Sequence, residues 1–181
     1  LNFCSLDPDS YLSQLASLFE GINVYSPSVG AIIVLILACI LLFCSGFVSA
    51  SEIAFFSLTP KDMSEIEQSN KEADRKILRL LEDSERLLAT ILISNNLVNV
   101  TIIMLCNYFF SEVIDFGASK VMEFIVLTVL LTFLLLLFGE IMPKIYSSQY
   151  TLKFSRIAAP VMIVLRKIFR PLSGLLMHSS V

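Results

Sequence analysis

Three stretches of this chain are long and apolar enough to cross a lipid bilayer, and that leaves few folds open to it. Val29 to Val48 is 20 residues without a charge, Leu87 to Phe110 is 24, and Val121 to Phe138 is 18 with one charge, Glu123. At about 1.5 Å rise per residue even the shortest makes a helix of about 27 Å, close to the hydrocarbon thickness of a bilayer. The chain is 56% hydrophobic and 16% charged with mean hydropathy +0.80, outside the balance of a soluble domain. Its net charge of −3 carries no message about nucleic acid, and it has neither a basic run nor a Gly-rich phosphate loop. The expected fold is an all-α membrane protein: three transmembrane helices, about 29–57, 85–110 and 120–139, plus cytoplasmic amphipathic and juxtamembrane helices.

A fourth apolar run, Ile157 to Leu165, has only 9 residues before Arg166-Lys167 and is interrupted by Pro160. It reads as an amphipathic helix lying along the membrane face, Ile157 to about Met177 by its pattern and about 150–178 with its flanks. A re-entrant or tilted fourth span competes with that reading.

Lys and Arg set the orientation. Residues 1–28 contain none, the segment 58–86 contains six, 111–120 contains one and the segment from Lys144 onward contains six. That pattern is expected to place 1–28 outside and the C-terminus in the cytoplasm, with 29–181 as the membrane domain. No basic n-region precedes the first span, so no cleavable signal peptide is expected. The chain opens on Leu1, as a piece of a longer protein would. Of four cysteines, Cys39, Cys44 and Cys106 fall in spans, where a lone Cys behaves as a small apolar residue, and Cys4 precedes them. No Cys/His spacing suggests zinc, and the single histidine, His178, has no evident partner. With no nucleophile–base pair, an enzyme is not expected.

The segment 58–86 is structured rather than loose. Thr59-Pro60-Lys61-Asp62 reads as an N-cap, a Pro at N1 and an acid at N3. Met63 and Ile66 share one face, and Ile77, Leu80 and Leu81 repeat the pattern after Ser69-Asn70. Two short cytoplasmic amphipathic helices are expected within 59–83, their charges facing water. Asp83-Ser84-Glu85 caps the second span.

Chemistry is to be sought among polar residues inside the membrane, where a charge is costly and turns toward a partner or cavity. Ser45, Ser49 and Glu52 stand at i, i+4 and i+7 on one face of the first span. The second span carries Asn95 and Asn99 at i and i+4, with Asn96 beside them. The third ends in Gly139-Glu140 and then Pro143-Lys144. Pro143 has no N–H and crowds the carbonyl of residue 139, so that carbonyl is expected to be freed from the helix ladder. Singly, each feature has a structural explanation: serines that bond back to their own helix, asparagines that hold helices together, Glu140 paired with Lys144 one turn on. Together they place hard oxygens on all three spans, and such oxygens suit Mg²⁺ or Na⁺. A broken helix whose carbonyls face a cavity is how secondary transporters hold ions at mid-depth.

The stretches SASEIAFFSL (49–58), LLATILISNNLVN (87–99) and FGEIMPKIY (138–146) resemble the three ordered signatures of the CNNM/CorC transmembrane domain, also called DUF21. Within that family the chain is most similar to the Bacteroidetes gliding-motility-associated branch. The resemblance covers about residues 29–178. It implies a homodimer of three-span subunits in the lipid bilayer with a juxtamembrane helix belt, and a following cytoplasmic CBS pair that binds ATP. It also implies Na⁺-coupled export of Mg²⁺. The ion site it implies falls on Ser49, Asn95 and Glu140, completed by the Gly139 carbonyl and Ser51, with Ser45, Glu52, Asn96, Asn99, Pro143 and Lys144 in support. Ser94 departs from the family, many members of which carry Gly there, without removing the site. The alternative function is a membrane anchor or assembly component of a gliding-motility or secretion machine. An anchor needs none of the oxygen ligands, which favours transport.

Overall fold

The computed structural model describes residues 23–115 and 120–169. Cys4, His178, most of the segment 1–28 and the continuation of the last helix toward residue 178 lie outside them. The fold is all-α: α1 (Val29–Phe56), α2 (Pro60–Gln68), α3 (Glu72–Leu81), α4 (Ser84–Val113), α5 (Lys120–Leu134), a π-helical turn (Leu135–Ile141), α6 (Met142–Gln149) and α7 (Thr151–Ile168). Three helical runs are long and apolar enough to cross a membrane, Val29–Phe56, Ser84–Val113 and Phe124–Gln149. Among the described residues the strand structure is a two-residue antiparallel pairing of Asn23–Val24 (β1) with Ile114–Asp115 (β2). It places the segment before α1 beside the end of α4, at the end of the bundle opposite α2 and α3.

Local chemistry accounts for the helix boundaries. Ser28 accepts from the Ala31 N–H to start α1. At α2 the Thr59 side chain accepts from the Asp62 N–H while the Asp62 carboxylate accepts from the Thr59 N–H, a full capping box with Pro60 in the first turn. These hydrogen bonds from Thr59 hold the Asp62 carboxyl below its ordinary value. Asp83 accepts from the Arg86 N–H and starts α4.

Apart from Val48 and Phe55, the buried face of α1 is built of small residues, Ala31, Ala38, Ser45, Gly46, Ser49, Ala50, Ser51 and Ala54. Small side chains let membrane helices approach closely, which is the main source of packing where burial from water supplies no drive. Two apolar clusters flank the middle of the bundle. Ala38, Ile102, Cys106, Leu131 and Leu135 close it toward β1 and β2. Val48, Phe55, Ile66, Ile77, Leu80, Leu87, Ile91, Ala158, Ala159 and Met162 tie α2, α3 and α7 to the other end.

Two sequence expectations are corrected. The third span does not stop at Gly139: helix continues through Pro143 to Gln149, because the ladder widens into a π turn in which the Met142 N–H donates to the Leu137 carbonyl. The last helix begins at Thr151, in line with the expected start near 150, but Pro160 lies inside it without ending it, on its exposed side. Nor does α7 rest on the membrane alone. Ala158, Ala159 and Met162 are buried in the core, while Ile157, Val161, Val164 and Ile168 form a second, exposed stripe at helical spacing.

Candidate functional site

Between the two apolar clusters the three spans meet in a polar centre. Ser45 lies near the middle of α1 and Asn99 near the middle of α4, so the centre lies at mid-depth of these runs. The Ser45 hydroxyl reaches two amide oxygens of α4, Asn95 Oδ1 at 2.8 Å and Asn99 Oδ1 at 2.7 Å. Both amides in turn donate to one oxygen of Glu140, Asn95 Nδ2 at 3.4 Å and Asn99 Nδ2 at 3.3 Å from Oε1. Ser45 is fully buried, and the other three are half-buried.

The balance of donors in this cluster is uneven. A serine hydroxyl carries one proton, so it satisfies one of the two amide oxygens it touches and leaves the other short of a donor. Ser49, one turn further along the same face, is buried with its Oγ unpartnered among the described residues. The region is therefore richer in oxygen lone pairs than in protons to occupy them.

A close helix crossing holds Glu140 in place. A Cβ on Gly46 would lie 2.9 Å from Pro143 Cγ and 3.4 Å from the Phe138 carbonyl oxygen, so α1 meets the π turn where only glycine fits. One turn on, the Ser147 hydroxyl donates to the Ala50 carbonyl at 2.6 Å. On the register set by the Met142 N–H and the Leu137 carbonyl, the donor that Pro143 lacks would have served Phe138. Gly139 is buried against Ser45 and Leu42, where a Cβ would make ordinary contact at 3.5 Å.

The expected site residues thus divide. Ser45 and Asn99, ranked as supporting, form the centre together with Asn95 and Glu140. Ser51 is buried but donates back to the Phe47 carbonyl of its own helix. Glu52 pairs with Lys144 at 3.0 Å, so the alternative in which Lys144 pairs with Glu140 is not realised. Asn96 faces outward. Gly46 was not singled out; its proximity to Ser45 in a small-residue helix was the available signal. Gly46→Val should cost about 1–3 kcal/mol through overpacking. A lowered unfolding midpoint in detergent would register it, and a wild-type midpoint would show that the crossing yields easily.

Three crossing helices around an oxygen-rich centre define a helical membrane domain. The profile of the cyclin M transmembrane N-terminal domain (CNNM) matches residues 36–180. A UPF0053 protein of Haemophilus influenzae is 31% identical over 143 residues, 79% of this chain and 32% of the relative. The chain belongs to the CNNM family as a membrane domain, and it spans about a third of the length of the curated relative it matches. Neither finding singles out the gliding-motility branch.

Proposed function

We propose that this domain moves Mg²⁺ across the bacterial inner membrane, with Na⁺ as the coupling ion, through the polar centre between its three spans. The observation that supports the reading most is the convergence of Ser45, Asn95 and Asn99 oxygens on one another beside a single carboxylate at mid-depth. Turning both amides by half a rotation presents their Oδ1 atoms toward Glu140, the arrangement a cation between them demands. Mg²⁺ prefers such hard oxygens and keeps several waters, so a few protein ligands suffice. Among the described residues no three His, Cys, Asp or Glu side chains cluster, so one carboxylate with neutral oxygens is the set on offer. Mg²⁺ flux into vesicles carrying the full-length protein tests the proposal. Flux that depends on Glu140 supports it. A folded protein that gives none favours the anchor role in a motility or secretion machine. The ATP-binding CBS pair implied by the resemblance belongs to the same proposal as its regulator.

The orientation proposed has residues 1–28 in the periplasm and α2, α3 and the C-terminus in the cytoplasm. Cys39 and Cys44 face outward within a span and Cys106 is buried, so an impermeant thiol reagent reports on Cys4. Labelling is expected in cells whose outer membrane alone is opened. Labelling that waits for the inner membrane to be breached reverses the assignment.

The functional unit proposed is a homodimer. Asn96 is exposed beside the polar centre, and a mid-span amide facing hydrocarbon is costly unless another protein surface or a wet vestibule covers it. A second copy across α4 supplies that cover. Cross-linking in native membranes should trap dimers through cysteines placed on the exposed face of α4, such as Leu92→Cys. Monomers there and in mild detergent would refute it.

A further inference from the structure

The geometry points to a binding site for the phosphate of an anionic lipid headgroup where α3, the start of α4 and the end of α7 meet. A cavity of about 400 Å³ there is lined by Arg79, Leu80, Arg86, Ile163, Arg166 and Lys167. Four cations thus surround one apolar-floored hollow. Among the described residues the carboxylate paired with them is Asp83, at 2.7 Å from Arg166 and 3.3 Å from Arg86. Neither Asp83 nor its sequence neighbours Glu82 and Glu85 line the cavity itself. Arg79 and Lys167 make no ion pair among the described residues, and Arg86 Nε is buried without an acceptor there. Arg166 is held in place by Asp83 and by the Arg79 carbonyl at 3.3 Å, so its guanidinium is positioned before any ligand arrives.

Position selects the source of the phosphate. Arg86 directly precedes Leu87, the first residue of the apolar window of α4, so the cavity lies at the level where headgroup phosphates sit. Leu88 on α4 and Val164 and Ile168 on α7 are exposed on the flanking helices. They offer contact to acyl chains, which free phosphate lacks. Basic hollows between membrane helices at the cytoplasmic face recognise anionic lipids on these terms.

The test titrates the purified full chain in dodecyl maltoside with dioleoylphosphatidylglycerol, dioleoylphosphatidylcholine or millimolar inorganic phosphate, and reads the unfolding midpoint. The midpoint is expected to rise with phosphatidylglycerol alone. At about fivefold per cation removed, R79Q/K167Q should need about 30-fold more phosphatidylglycerol for the same rise and K167Q alone about fivefold more. Neither variant removes an ion pair present among the described residues, so their lipid-free midpoints should stay at the wild-type value. An unchanged phosphatidylglycerol response in both variants, an equal response to phosphatidylcholine, or a response reproduced by inorganic phosphate overturns the assignment.

Discussion

Glu140→Gln is expected to leave the bundle folded and to lower Mg²⁺ affinity by about 100- to 1,000-fold. Gln keeps the shape and one carbonyl oxygen, so the Asn95 and Asn99 amides, which donate to Glu140 Oε1 at 3.4 and 3.3 Å, retain an acceptor. What disappears is the charge. A −1/+2 pair about 4 Å apart is worth ~8 kcal/mol at an effective dielectric of ~20. Desolvation of both groups returns much of it, leaving about 3–4 kcal/mol, or two to three decades of affinity. Asn95→Ala should cost less, because water can replace one neutral ligand, and Na⁺ at half the charge should compete while gaining less from Glu140. If Glu140 serves only to hold α4 against the third span, Asn95→Ala would lower the unfolding midpoint and neither variant would change Mg²⁺ affinity. Calorimetry on the purified variants separates the outcomes, and unchanged Mg²⁺ affinity in Glu140→Gln rules the site out. Lys144 is not a competing partner in this experiment, since it is engaged by Glu52.

The second large effect lies outside the spans. Arg156 on α7 grips Asp74 on α3 with two hydrogen bonds, Nε to Oδ1 at 2.7 Å and Nη2 to Oδ2 at 3.1 Å, and reaches Glu65 on α2 at 2.9 Å. The Asp74 side chain has no accessible surface, whereas that of Arg156 remains 21% exposed. Arg156→Ala therefore strands a buried carboxylate, and the cost should be about 2–4 kcal/mol, somewhat under that of a fully interior pair because Arg156 is partly solvated. Replacing both partners, Asp74→Leu with Arg156→Met, should recover most of that loss, since no unpaired charge remains.

The pH dependence distinguishes the two proteins. In the wild type the Arg156 hydrogen bonds hold the Asp74 carboxyl below its ordinary value of 3.8. A depressed folded value contributes stability above the unfolded value, and that stability is lost as pH falls through the folded one, so the pair is insensitive near neutrality and fails only below about pH 4. In Arg156→Ala desolvation is opposed only by the Ser69 hydrogen bond and the Lys71 charge, so the acid protonates more readily than in the wild type and the variant's deficit should shrink as pH is lowered from 7 toward 4. Unfolding midpoints measured across that range check the sign. A deficit that grows on acidification would contradict the buried-charge account.

The sequence alone determined a good deal. Three apolar windows at membrane length are a matter of hydropathy and rise per residue, and Thr59-Pro60-Lys61-Asp62 carries its capping box within four consecutive positions. The polar residues of the centre were also legible as a set, because serine, asparagine and glutamate stand out against leucine. Which of them meet was decided by tertiary structure. Helical spacing puts Ser45 with Ser49, and Asn95 with Asn99, on common faces, but it does not say how far each helix is rotated about its axis or how deep it sits against its neighbours. The close approach of Gly46 to Pro143 sets that rotation for α1 and the third span, and it brings Ser45, rather than Ser51, to the asparagines. The π turn does the rest. By widening the ladder around Glu140 it carries helix past a proline that reads locally as a stop, and it moves Lys144 off the face that i, i+4 spacing assigns to it. Arg156 and Asp74 are 82 residues apart, and no local rule pairs them. Only the packing of Ala158, Ala159 and Met162 into the core around α3 brings the guanidinium to the buried carboxylate.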